Sequence, residues 1–247
     1  MKRTLLLLFV LSGAGAFAQH DTEWDRKFEQ LGTTLPTPNT YRTASGAPGR
    51  DYWQQKADYK MSITLNDDNQ SISGSENITY YNQSPDELPY LWLQLDQNMR
   101  APDSHSPLIG TDKMSETVNT AQLRDFASDF EGGFKIATVT DDSGKELRYM
   151  INKTMMRIDL PRPLKAGGNV SFKIDWSYNV NNRADDGGRS GMEFFPEDGN
   201  YLYTIAQFFP RMAVYDDVEG WQNKQFLGRG EFALTFGDYE VDITVPS

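Results

Sequence analysis

The sequence predicts an all-β domain: an antiparallel, saddle-like multi-sheet sandwich with short helical and loop insertions. Two observations carry this expectation. Short segments with period-two alternation recur along the chain, and clusters of Asn, Asp, Gly, Ser or Pro punctuate them. The opening pair is the clearest. Tyr59–Leu65 alternates strictly, Ile72–Tyr80 alternates more weakly, and Asn66-Asp67-Asp68-Asn69 between them spells a turn. This reads as a β-hairpin. Tyr90–Leu95 follows, with Leu91, Leu93 and Leu95 on one face.

Residues 100–133 are polar and loop-like, with one helix expected near Ser115–Phe126. Strands resume at Phe134–Thr140, Leu147–Asn152, Met155–Leu160 and Val170–Val180. Asp141-Asp142-Ser143-Gly144 and Lys165-Ala166-Gly167-Gly168 mark turns between them. A Gly/Asp loop spans Arg183–Gly191. Strands are then expected at Tyr201–Phe208, Glu231–Phe236 and Tyr239–Val245. The chain stops directly after the last of these, which reads as the truncation of a longer protein.

The N-terminal residues read as an export signal. Lys2 and Arg3 precede an apolar run, Leu5–Leu11, and Ala16-Phe17-Ala18 supplies a small-x-small cleavage site. The run is short for a span, which takes ~20 residues. Residues 1–18 are therefore expected to be removed, leaving a periplasmic or secreted protein that meets the membrane only through its transient signal peptide. Residues 19–50 read as a leader and linker. Trp24, Phe28 and Leu31 fall on one face of a short helix over Asp21–Leu31. Pro36, Pro38 and Pro48 then mark an irregular strap or mobile linker. The β-domain is expected over residues 51–247.

Composition narrows the function. The 247 residues carry 24 Lys+Arg against 35 Asp+Glu, a formal charge of −11, and no basic patch suited to phosphates. Nucleic acid is therefore not an expected partner. The absence of cysteine removes disulfides and thiolate zinc sites. The two histidines, His20 and His105, stand apart from each other, and no His-Glu-x-x-His helix motif is present. This chain is thus expected to hold no metal or other cofactor and no catalytic residue. The sequence contains no Gly-x-Ser-x-Gly elbow. Glu193, Glu197, Asp216 and Asp217 could converge as glycosidase carboxylates, but read more simply as solvated loop acids. Asp185-Asp186 and Asp216-Asp217 lack EF-hand spacing. Trp53, Trp92, Trp176 and Trp221 read first as packing residues, and second as a sugar-stacking platform.

The most informative segment is Tyr201–Trp221. Its strand breaks at Pro210 and leads into Arg211, an acidic pair and a Gly-Trp step. A Gln delivered into a Pro-broken turn presents a polar amide at a sheet end, where ligands are often met. Gln207-Phe208-Phe209-Pro210-Arg211, followed by Tyr215-Asp216-Asp217, resembles the Gln-x-Glu-Pro region in the N-terminal β-domain of aminopeptidase N-like zinc metallopeptidases, the family that includes leukotriene hydrolase. The strand order from Tyr52 and the finish from Gly230-Glu231-Phe232 to Ile243-Thr244-Val245-Pro246 resemble that domain too. The resemblance implies that Gln207, Phe209 and Arg211 are substrate-binding residues. It implies that the zinc belongs to an absent catalytic domain of the full-length parent, and that peptides bind through that domain. Phe209 stands where the family has Glu, so an apolar wall would replace an anionic amine anchor. Gly191-Met192-Glu193 resembles the family's Gly-x-Met-Glu-Asn only in part, with Ser190 and Phe194 at its flanks, and reads as a loop. The alternative is a stand-alone secreted β-sandwich binding module for carbohydrate or protein.

Overall fold

The computed structural model describes residues 38–106, 130–186, 189–228 and 233–246. The expected signal peptide, the expected helix at Asp21–Leu31 and the expected helix near Ser115–Phe126 lie outside these residues.

Thirteen strands run through the described residues. They are β1 (Lys56–Asn66), β2 (Ser71–Tyr81), β3 (Leu88–Gln94), β4 (Lys135–Asp141), β5 (Tyr149–Asn152), β6 (Met155–Leu164) and β7 (Asn169–Asn179). The set continues with β8 (Gly191–Phe195), β9 (Asn200–Thr204), β10 (Arg211–Met212), β11 (Tyr215–Asp216), β12 (Gly220–Trp221) and β13 (Tyr239–Thr244). A five-stranded sheet has the order β13-β1-β2-β7-β4, and a four-stranded sheet the order β10-β3-β6-β5. Two small hairpins, β8-β9 and β11-β12, complete the set. The all-β multi-sheet class expected from the sequence is the class observed.

The hairpin β1-β2 is antiparallel over its whole length, from Lys56↔Tyr81 to Asn66↔Ser71. Its turn is set by Asn66, whose Oδ1 accepts the Asp68 and Asn69 N–H groups at 2.9 and 3.3 Å. Alternation then places Tyr59, Met61 and Ile63 beside Ile72, Ile78 and Tyr80, and beside Phe172, Ile174 and Trp176 of β7. The second sheet contributes Leu91, Leu93, Met156 and Ile158 to the same core. Gly74 has a packing reason. A Cβ there would lie 2.4 Å from the Trp176 ring, so only a bare backbone lets that indole lie flat on β2.

Four expectations need correction. The sheet is not antiparallel throughout, because β13 runs parallel to β1, from Tyr59↔Tyr239 to Thr64↔Thr244. Strand β9 stops at Thr204 instead of continuing to Phe208. Gly191-Met192-Glu193 is strand β8 rather than a loop, since Met192 pairs with Tyr203 and Glu193 with Leu202. Of the strand expected at Glu231–Phe236, the described residues 233–236 make only one bridge, Lys56↔Phe236. The described end of the leader packs as a strap. The Arg42 guanidinium donates to both Asp217 carboxylate oxygens at 2.8–2.9 Å and lies over the Tyr52 ring.

Candidate functional site

The segment from Ile205 to Arg211 links β9 to β10 and crosses from the small hairpin to the four-stranded sheet. Gln207 adopts φ 53, in the left-handed region, without being glycine. Gln207 and Phe209, two residues apart, are therefore not placed on one face by regular strand geometry. Gln207 is half-buried, and among the described residues its side-chain amide has no hydrogen-bond partner.

Phe209 is placed differently. Its ring packs edge-on against Tyr59, with centroids 5.5 Å apart, and lies 6.3 Å from the ring of Tyr239. Tyr59 and Tyr239 stack in parallel at 4.9 Å. The Tyr59 hydroxyl is buried and accepts the Met212 N–H at 2.9 Å. Phe209 therefore bridges the connecting segment and the edge of the five-stranded sheet.

Arg211 is turned inward. Its Nη2 lies 2.5 Å from Asp96 Oδ2, with side-chain exposures of 12% and 1%. The approach is close, and among the described residues Arg211 Nε has no hydrogen-bond partner. Burial outweighs the attraction of the guanidinium, so the Asp96 carboxyl is raised to about 6. The resemblance implies Gln207, Phe209 and Arg211 as one substrate-binding set. The structure gives them three separate settings: a free amide, an aromatic bridge and a buried ion pair.

Sequence reasoning missed Asp96, Gln97 and Glu76. Glu76 lies on the core face of β2, between Met61 of β1 and Ile174 of β7. It is fully buried, and among the described residues neither carboxylate oxygen has a hydrogen-bond partner. Burial raises its carboxyl well above the ordinary range. Burial thus favours the neutral acid form at the core of the larger sheet. The signal that could have located it is its parity with Ile72, Ile78 and Tyr80.

Strand β13 carries the other feature of note. Its Tyr239, Val241 and Ile243 lie opposite Tyr59, Met61 and Ile63, so they continue the core face of the sheet. Their exposures are nevertheless 49%, 39% and 59%, and Val245 beyond them is 62% exposed. An apolar strip therefore borders the aromatic contact of Phe209 and has no cover among the described residues. Alternate residues Glu240 and Asp242 are also exposed, and Lys60 Nζ lies 2.7 Å from the Glu240 carboxylate.

The loop acids are mostly committed. Asp217 is held by Arg42, and Asp216 accepts from the Val218 and Glu219 N–H groups and from Gln222 Nε2. Glu193 lies 3.4 Å from Arg183. A groove of about 230 Å³ runs beside Asp216, with Tyr52, Trp53, Tyr215 and Phe236 among its walls. Trp53 stacks on Tyr215 at 5.7 Å. His105 is exposed. Among the described residues, no group of three or more His, Cys, Asp or Glu is arranged to hold a metal ion.

No protein-family model matches the chain, and no curated protein is significantly similar to it. Solved structures do show a likeness. An M1 zinc metallopeptidase from Deinococcus radiodurans is 12% identical with a TM-score of 0.38, and the match covers 81% of this chain and 34% of that one. A mutant of that peptidase bound to a Tyr-Ser-Ala substrate gives the same values. A mutant of a two-domain M1 zinc metallopeptidase bound to L-tryptophan is 14% identical with a TM-score of 0.38, covering 81% of this chain and 35% of that one. The chain spans about a third of the length of these structures. At such identities and scores the likeness says nothing about activity.

Proposed function

We propose that this chain is the non-catalytic N-terminal β-domain of an exported, periplasmic or secreted zinc aminopeptidase that cleaves peptides from the amino end. In this reading the domain lines and closes the substrate cleft, and Gln207 contacts the substrate. The zinc sits in the catalytic domain of the full-length parent and would supply an activated water there. No residue described here is arranged to hold it.

One observation carries the reading. The apolar strip Tyr239, Val241 and Ile243 continues the core face of the large sheet, stays exposed, and begins where Phe209 touches Tyr239. Contiguous apolar surface of this kind usually marks an interface. A second domain seated on the strip would therefore adjoin the Gln207 segment, whose free amide can accept a hydrogen bond from a peptide ammonium.

The test uses the full-length gene product beside residues 1–247 alone. The reading frame should continue into a His-Glu-x-x-His helix followed by a second Glu. Full-length protein should hold one zinc and hydrolyse aminoacyl-nitroanilides, with activity lost to a chelator. The isolated chain should do neither. Stoichiometric zinc in the isolated chain, or a full-length protein without zinc, would overturn the reading.

The groove favours a second reading, a binding module for a neutral saccharide. Arg42 is already neutralised by Asp217, and stacking on Tyr52 or Trp53 suits a sugar face. A reading frame that stops at Ser247 in the native gene would favour it.

A further inference from the structure

Gln207 holds a left-handed backbone without being glycine, a sparsely populated conformation for an L side chain. Such a conformation persists only where the surroundings impose it. Here two of the restraints come from one short turn. The 3₁₀ turn Asp96–Arg100 follows β3, and its first two residues reach opposite ends of the Gln207–Arg211 segment. Gln97 is 3% exposed, and its Nε2 donates to the carbonyl oxygens of Ala206 at 2.8 Å and Gln207 at 3.2 Å. Its Oε1 accepts from Arg100 Nη1 at 3.0 Å, which fixes the orientation of the amide. Asp96 holds Arg211 at the far end.

The turn is itself anchored. Leu95 N–H donates to the Thr154 carbonyl at 2.8 Å, and Asn98 Nδ2 donates to the Lys153 carbonyl at 2.7 Å. Asn98 Oδ1 accepts the Phe134 N–H at 2.7 Å. A third restraint meets the near end of the segment, where Ala206 N–H donates to the buried Ser190 Oγ at 3.3 Å.

We infer that Gln97 is a positioning residue that sets the Gln207 turn, with Asp96 fixing the other end, so that the Gln207 amide is presented in one orientation. The inference rests on the proposed role of Gln207 in substrate binding. A Gln that donates to two successive carbonyls is a fastening that no hydrophobic side chain of similar length reproduces. Leucine at position 97 would fill much the same space and release both carbonyls.

The experiment has two arms. In the isolated chain, Gln97→Leu is compared with wild type by backbone NMR. The resonances of Ala206 to Phe209 should shift or broaden, while those of Met61, Ile78 and Ile174 stay in place. In the full-length protein, Gln97→Leu should raise KM for unblocked peptides about tenfold with kcat within twofold, and Gln207→Ala should do the same. Unmoved resonances at 206–209 overturn the inference whatever the kinetics. It is also overturned if Gln207→Ala raises KM and Gln97→Leu does not. If Gln207→Ala leaves KM unchanged, the substrate role of Gln207 has failed, and the NMR arm alone decides whether Gln97 sets the turn.

Discussion

Replacing Arg211 with methionine should destabilise the domain by about 3–5 kcal/mol at pH 7. The cause is the residue left behind. Asp96 is 1% exposed and its close charged contact is Arg211. Removing the guanidinium strands a carboxylate in a medium that solvates it poorly, and the carboxyl can relax only by taking up a proton. The loss should therefore shrink below about pH 5, where Asp96, already raised to about 6 by burial, is neutral in the folded state. The double variant Asp96→Asn, Arg211→Met should recover most of the stability, because no charge then remains to be compensated. Urea unfolding at pH 5 and pH 7 measures all three proteins. A loss under about 1 kcal/mol for Arg211→Met at pH 7 would show that water reaches this pair.

Glu76→Gln should stabilise the protein above pH 7 and change the form of its pH dependence. The Glu76 carboxyl is raised well above the ordinary range by complete burial, so the folded state keeps its proton while the unfolded chain loses it above roughly pH 4.3. A raised folded pKa makes the folded state the better proton binder, and stability then falls as pH rises. While the folded carboxyl stays protonated the slope is about 1.4 kcal/mol per pH unit. Asp96 adds a fall of the same sign between roughly pH 4 and its raised value of about 6. The depressed carboxyls of Asp58 and Asp175 act in the opposite sense, but their contribution is complete above their ordinary range near pH 4. Wild type should consequently melt higher at pH 5 than at pH 8. Glutamine keeps the shape and neutrality of the protonated acid, so the variant should lose the part of the slope that persists above pH 6. Parallel melting curves for wild type and Glu76→Gln from pH 5 to pH 8 would contradict this account.

The first hairpin was legible because both of its determinants are local. Alternation in Tyr59–Leu65 sets the buried face, and Asn66 makes the turn with its own side chain. The parallel pairing of β13 was not legible. Its partner β1 lies about 180 residues earlier, and alternation along Tyr239–Thr244 is the same for either direction. Met192-Glu193 reads as a strand only once Leu202 and Tyr203 stand opposite.

The candidate segment shows the same division. The Gln before a Pro-broken turn, and the resemblance to the Gln-x-Glu-Pro region, mark Gln207–Arg211 in the sequence. The left-handed backbone at Gln207 is imposed by Gln97, 110 positions away, and Arg211 is held by Asp96 on the same turn. Glu76 sits in a Gly-Ser-rich stretch whose alternation is weak because Gly74 and Glu76 occupy core-facing positions. Gly74 is there to admit the Trp176 indole, a requirement that only the folded sheet reveals.

The claim that this domain contributes a substrate contact is tested most directly by Gln207→Ala in the full-length protein. Its side-chain amide has no partner among the described residues, so its removal should leave the melting temperature within a degree or two. One lost hydrogen bond to a charged group costs about 1.5–3 kcal/mol. KM should therefore rise at least tenfold for peptides with a free amino end, and stay near wild type for their N-acetylated analogues. Equal KM values for wild type and variant on both substrate sets, with the fold intact, would contradict the placement of Gln207 at the cleft.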